Sequence, residues 1–241
     1  MNQKERNLYV TRIDNFYKRI SGGILADHVV FDAEFAHCKE PVPFAGRTSL
    51  KYRKIKEGAP WGRTWDSAWF RLRGTVPKSW KGKEIVAQLD FNGEGLVFRN
   101  DGYPVQSITN GSVFQAEYSK DIHYLLKRCR GGEKIDLWVE AAANGLFGIN
   151  RREDAPVSDP DRHGTYSGIV NRIRICSFDR ELWNLWIDVE VLKSLASGLP
   201  ENAVRRTRII RTLNEAIDVY ADNAANASRA RKIISAELAK K

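Results

Sequence analysis

Glu94 stands between two glycines in "FNGEGLVF" (residues 91–98), and Glu140 heads the run "EAAANGLFG" (140–148). Acetal hydrolysis of the glycosidic kind needs two carboxyls set across a cleft, one as acid and one as base or nucleophile. The sequence gives neither glutamate a visible partner, so hydrogen bonding at a turn or strand end is expected of each ahead of catalysis. Aromatic chemistry is the second candidate. Trp61, Trp65 and Trp69 recur at a spacing of four in "WGRTWDSAWFRLRGTVPKSW" (61–80), and Trp80 closes the stretch. Such rings could stack on a sugar or a base, or simply fill a core. Trp69 and Trp80 are expected in the core. Trp61 and Trp65 are either core or domain-interface residues or an open aromatic platform. Trp61, Trp65 and Glu94 are therefore the candidate carbohydrate-binding or domain-interface residues.

Other chemistries find little to work with. The histidines His28, His37, His123 and His163 are scattered and form no His-Glu-x-x-His or His-x-Asp pair, and there is no Cys-x-x-Cys. A zinc site needs three or four convergent ligands, so no metal ligand and no catalytic residue is assigned. There is no Gly-x-Ser-x-Gly elbow and no Walker loop, and "GGE" at 131–133 is expected as a turn between strands. Cys38, Cys129 and Cys176 are odd in number and far apart, which fits reduced thiols in a cytosolic protein.

The net charge of +9 raises a nucleic-acid reading, since Arg205, Arg206, Arg208 and Arg211 cluster on one expected helix. Glu201, Glu215, Asp218 and Asp222 share that stretch, and no aromatic residues interleave with the arginines as a single-strand binder needs. No nucleic-acid partner is expected. The N-terminus lacks an apolar signal-like run and no long apolar stretch occurs, so neither secretion nor a membrane partner is expected and the localisation read from sequence is cytoplasmic.

These residues must be held by elements of two kinds. Tyr9, Ile13, Phe16, Tyr17 and Ile20 form one stripe of an amphipathic helix, which "SGG" at 21–23 is expected to end through the left-handed conformation glycine favours. Residues 24–179 read as β. "AWFRLRGTVP" alternates, and "EIVAQLDF", "GLVFRN" and "YPVQSI" follow, separated by "NGEG" and "NDG" turns of the hairpin type. "EKIDLWVEAAA" and "VNRIRICSFD" supply two more strands. Short strands with no helices between them predict a jelly-roll β-sandwich. From 180 to 241 the spacing turns helical, with Gly198 as a stop and Pro200 as the start of the next helix.

The block 61–108 resembles the N-terminal domain of the glycoside hydrolase family 38 α-mannosidases, in the branch that includes the yeast vacuolar enzyme. The resemblance rests on Trp61-Gly62, Trp65, Trp69-Phe70, Val76-Pro77, Trp80, Asp90-Phe91, Gly93-Glu94-Gly95-Leu96-Val97, and Gly102 with Pro104-Val105-Gln106. "EAAANGLFG" is a second similar block. Arg63 and Asp66-Ser67-Ala68 depart from the family, where a proline, serines or threonines are commoner. The order of strands and turns is also similar to galactose-binding-like jelly rolls. The implied architecture is mainly β with helices: a jelly-roll sandwich flanked by an N-terminal helix (1–23) and a C-terminal helical segment (180–241) leading to a catalytic domain. The resemblance implies an accessory, non-catalytic domain of an enzyme that hydrolyses α-linked mannose. It further implies zinc or another divalent metal in that catalytic domain and none in this chain. The expected partners are the downstream catalytic domain, a second copy in a homo-oligomer, and a mannose-containing glycan; a stand-alone carbohydrate-binding module is the alternative.

Overall fold

A computed structural model describes residues 2–25, 27–63, 65–109, 119–144 and 167–240. The chain divides into two compact units, one from Asp27–Ser177 and one combining Met1–Ala26 with Phe178–Lys241.

The first unit is a β-sandwich. Its larger sheet has six strands in the order β3-β2-β5-β10-β7-β8: β2 is Asp32–Cys38, β3 Arg53–Ile55, β5 Ser67–Thr75, β7 Glu94–Phe98, β8 Pro104–Thr109 and β10 Lys134–Ala142. A four-stranded sheet runs β1-β12-β6-β9, with β1 His28–Val30, β6 Glu84–Asp90, β9 Ile122–Leu126 and β12 Arg172–Phe178. Two short strands, β4 (Pro60–Arg63) and β11 (Ser167–Ile169), pair separately. Each pairing whose register is described is antiparallel. The Asp101-Gly102 turn, with Gly102 at φ 87, joins β7 to β8 as a hairpin, whereas Asn92, at φ 56, turns the chain from β6 in one sheet to β7 in the other, so the hairpin expected at "NGEG" does not form. Strand alternation sorts the faces. Ala68, Phe70 and Leu72 of β5 join Val139 and Ala141 of β10 in the core between the sheets, against Ile85, Ala87, Ile173 and Ile175.

The outer face of the larger sheet is not simply solvated. Residues 41–52, with a short 3-10 turn at Phe44–Ser49, fold over part of it and bury Cys38, Trp69, Phe98 and Trp138 beneath Phe44 and Tyr52. Trp69 is therefore buried as its sequence predicts, but in this second cluster, where Nε1–H donates to the Val42 carbonyl at 2.7 Å. Trp80 lies in the inter-sheet core.

The second unit is a bundle of α1 (Gln3–Ser21), α2 (Arg180–Gly198), α3 (Val204–Tyr220) and α4 (Ala227–Leu238). The side chains of Asn2 and Asp179 cap α1 and α2 by accepting from the N–H of Glu5 and Leu182, both at 2.9 Å. Ile13, Phe16 and Ile20 pack against the bundle, Phe16 meeting Tyr220 edge-on at 5.1 Å. The N-terminal helix and the C-terminal helices, read from sequence as separate flanks, thus form one body.

Two local expectations are corrected. Gly22 at the end of α1 is right-handed, with φ −67, so no left-handed glycine stops that helix. The glycine that matters is Gly23, where a Cβ would lie 2.7 Å from Leu182 Cδ2. Pro200 does not start α3. Its carbonyl accepts the Ala203 N–H at 3.0 Å in a turn, and the helix begins at Val204.

Candidate functional site

The turn between β4 and β5 carries Trp65, and four hydrogen bonds fix its backbone. Asp66 N–H donates to the Arg63 carbonyl at 2.9 Å, and Arg63 N–H to Asp66 Oδ2 at 2.7 Å. Trp65 N–H donates to the Ala143 carbonyl and Ala143 N–H to the Asp66 carbonyl, both at 2.8 Å. Trp65 is thereby held at φ 69, a left-handed conformation that a bulky side chain adopts at a cost. Its side chain stays 60% exposed. Asp66 Oδ2 also meets His37 Nε2 at 2.8 Å. Burial pushes the Asp66 carboxyl up, but the Arg63 N–H and His37 outweigh it and leave it below its ordinary value.

Trp61 has the opposite fate. It is 3% exposed, donates from Nε1 to the Phe91 carbonyl at 2.9 Å and meets Phe70 edge-on at 5.5 Å. Gly168 lies over its ring so closely that a Cβ there would be 2.4 Å from Cε2. Trp61 is a core residue, one of the alternatives its sequence left open, and of the two rings Trp65 is the exposed one.

Glu94 and Glu140, unpartnered in the sequence, come together on the outer face of the larger sheet. Glu94 opposes Ala142 while Glu140 opposes Leu96, so the glutamates are diagonal neighbours on adjacent strands. Asn144 grips Glu94 reciprocally: Nδ2–H donates to Oε2 at 2.6 Å and Oδ1 accepts the Glu94 N–H at 3.0 Å. This approach needs a glycine at 93, where a Cβ would fall 2.2 Å from the Ala142 carbonyl oxygen. Burial raises the Glu140 carboxyl above its usual value. Both glutamates line an open groove of about 540 Å³, with Ser67, Leu96, Ser107 and Lys120 among the other walls. They project from one sheet face and not from opposing walls, an arrangement suited to holding hydroxyls.

Several of the remaining sequence candidates have partners within the chain. His123 Nδ1 pairs with Gln106 Oε1 at 3.0 Å, and burial lowers its pKa. His163 lies outside the described residues. Among the described residues, no group of three or more histidine, cysteine, aspartate or glutamate side chains could hold a metal ion. This chain therefore offers no described site that fits zinc. All three cysteines are free and buried, and burial pushes Cys176 up to about 11. Among the described residues no helix is long and apolar enough to cross a membrane. Of the clustered arginines, Arg205 and Arg206 donate to the carbonyls of Lys240 and Leu199 at 3.1 and 3.0 Å. Arg208 pairs at 2.8 Å with Glu237, which is buried. These three side chains make contacts within the helical unit, and Arg211 is exposed.

Sequence reasoning missed His37, Asn144 and Lys120. No local signal marks them, because each reaches its partner or its groove across strands distant in the chain.

A family described as "Alpha-mannosidase, jelly roll domain" matches residues 29–168. Human alpha-mannosidase 2C1 is 31% identical over 182 residues, which is 75% of this chain and 16% of that protein. Alpha-mannosidase G of Dictyostelium discoideum is 27% identical over 179 residues, 74% of this chain and 16% of that protein. The alpha-mannosidase of Saccharomyces cerevisiae is 22% identical over 177 residues, 72% of this chain and 15% of that protein. The chain thus spans about a sixth of the length of these relatives. Among solved structures, a β-glucuronidase from Ruminococcus gnavus aligns with a TM-score of 0.42 at 12% identity, over 64% of this chain and 28% of that one. With the family match covering more than half of the sequence and falling on the β-sandwich, the chain belongs to the α-mannosidase jelly-roll domain family.

Proposed function

We propose that this chain is the N-terminal accessory, non-catalytic domain of a glycoside hydrolase family 38 α-mannosidase that hydrolyses α-linked mannose from glycans. It packs against the catalytic domain of the parent enzyme and supports assembly of its oligomer in the cytoplasm. Zinc or another divalent metal belongs to that catalytic domain in this reading. The observation that carries the proposal is the match itself: the jelly-roll family covers 29–168, and the shared segment is 16% of human alpha-mannosidase 2C1. Trp65 supports it physically. A large exposed ring on a backbone already held in place leaves only side-chain freedom to lose on docking, which suits an interface anchor.

Activity measurements test the proposal. Residues 1–241, purified alone, should not hydrolyse p-nitrophenyl α-mannoside with or without added zinc. The same chain continued through the rest of its gene should do so, and Trp65→Ala in that longer protein should lower its activity and thermal midpoint. Turnover by 1–241 alone, or a longer protein indifferent to Trp65→Ala and to removal of the sandwich, would overturn the assignment.

A further inference from the structure

The groove on the outer sheet face has a chemistry that docking through Trp65 does not use. Its polar wall is mixed. Glu94 and Glu140 supply acceptors, Ser107 supplies a hydroxyl that both donates and accepts, and Lys120 supplies donors. Between them Leu96 and Ala142 offer an aliphatic floor, since both point to the same sheet face as the glutamates. No described side chain hydrogen-bonds Glu140, although it is partly buried and its carboxyl is raised by that burial. Glu94, in contrast, is locked in direction by Asn144, so one acceptor edge of the groove is pre-set.

These features select among ligands. An anion would meet two carboxylates, and a cationic peptide would have to pass Lys120. A neutral polyol ring donates hydroxyl hydrogens to carboxylates, accepts from a lysine and a serine, and lays its C–H face on an aliphatic floor. A groove of about 540 Å³ lies in the range of small-molecule sites. We infer that this groove binds a neutral oligosaccharide, with Glu140 and Glu94 accepting from ring hydroxyls, Ser107 and Lys120 donating to them, and Leu96 beneath the ring. The binding does not depend on the accessory role: it would hold for a free-standing module as well.

The test uses the 241-residue chain and backbone amide correlation spectra. α-Mannobiose, maltotriose and cellotriose are titrated separately, with calcium alone and pentalysine as competing probes. At least one saccharide should shift amides of β7, β8 and β10 with millimolar affinity, the range for an open, shallow site. Glu140→Ala should weaken that affinity about tenfold, the effect of losing a hydrogen bond to a charged acceptor. Glu140→Gln, which keeps an oxygen in place, should lose less, and Lys54→Ala, outside the groove, nothing. Ser107→Ala serves as a second groove variant should Glu140→Ala lose its fold. No shift with any saccharide, shifts indifferent to both groove variants, or calcium or pentalysine occupying the groove in place of sugar would each overturn the inference. Mannosidase turnover enters none of these readings, so failure here is distinct from failure of the accessory role.

Discussion

Trp65 is where the residue scale is most informative, because its conformation works against stability. A non-glycine residue in the left-handed region costs about 1–2 kcal/mol, and the exposed ring recovers little of it by burial. In residues 1–241 alone, where nothing docks on the ring, Trp65→Gly should therefore raise stability by roughly 0.5–1 kcal/mol, once glycine's greater freedom in the unfolded chain is allowed for. A urea midpoint that rises at unchanged slope is the expected reading, with docking or enzyme assembly impaired in the same variant. A lower midpoint would mean that the ring contributes to folding after all. The four tryptophans of 61–80 illustrate what a sequence conveys at this scale. Their mass announces buried surface, yet their partition depends on backbone direction. The turn that Asp66 N–H closes on the Arg63 carbonyl separates Trp61, beneath Gly168, from Trp69, which faces outward under Phe44. Spacing could not distinguish a ring in the core from a ring on a left-handed turn.

At the scale of elements, the strands beside Asn92-Gly93 and Asp101-Gly102 were legible because turn residues mark their ends and alternation their faces, yet only the second turn closes a hairpin, since β6 and β7 join different sheets. The short edge strands were not. β3 carries Arg53, Lys54 and Ile55, which lack an apolar alternation and form a strand only because β2 offers them an edge. The same blindness to distant partners hides the connection between the loop after β3 and β12. Glu57 accepts from Arg174 Nε and one terminal nitrogen, both at 2.8 Å, and from the Ile173 N–H at 3.0 Å. The bond from Arg174 depresses the Glu57 carboxyl, burial opposes it, and the Ile173 N–H adds to the depression, leaving it below its ordinary 4.5. A depressed folded value means that the unfolded state binds the proton first as pH falls. The contribution is then complete above about 4.5 and disappears as pH drops through the lower folded value. Glu57→Gln should cost about 2 kcal/mol near neutral pH, the scale of charge-assisted hydrogen bonds. Urea melts at falling pH should show the gap between the two proteins closing in acid. A gap that is constant with pH would assign the loss to packing instead of charge.

At the scale of the whole molecule, the sequence order conceals the unit it builds. Residues 1–26 and 178–241 are separated by the entire sandwich, and no periodicity in either announces the other. The stripe of α1 is legible as an apolar face, but which surface receives it is a tertiary fact. That face supplies Phe16 to Tyr220, Tyr17 to a stack on Trp186 at 5.0 Å, and Arg12 to an ion pair with Asp218. The charged contact is exposed and adds little, whereas Phe16 is almost wholly buried. Phe16→Ala should accordingly cost the helical unit about 3–5 kcal/mol, the range for emptying a buried phenylalanine site. Removing residues 1–23 should do more, because the apolar faces of α2 and α3 then meet water. Helices of 19, 17 and 12 residues hold little stability from propensity alone and depend on packing. Hydrogen exchange read by mass spectrometry separates the outcomes. In the shortened protein, amides of α2, α3 and α4 should lose protection while those of β5, β6 and β10 keep theirs, since the sandwich encloses a core of its own. Protection retained across all three helices would show that the C-terminal segment is a self-sufficient bundle and that α1 only decorates it. Protection lost in the strands as well would mean that the two units fold as one, and that the sandwich owes its stability to helices drawn from both ends of the chain.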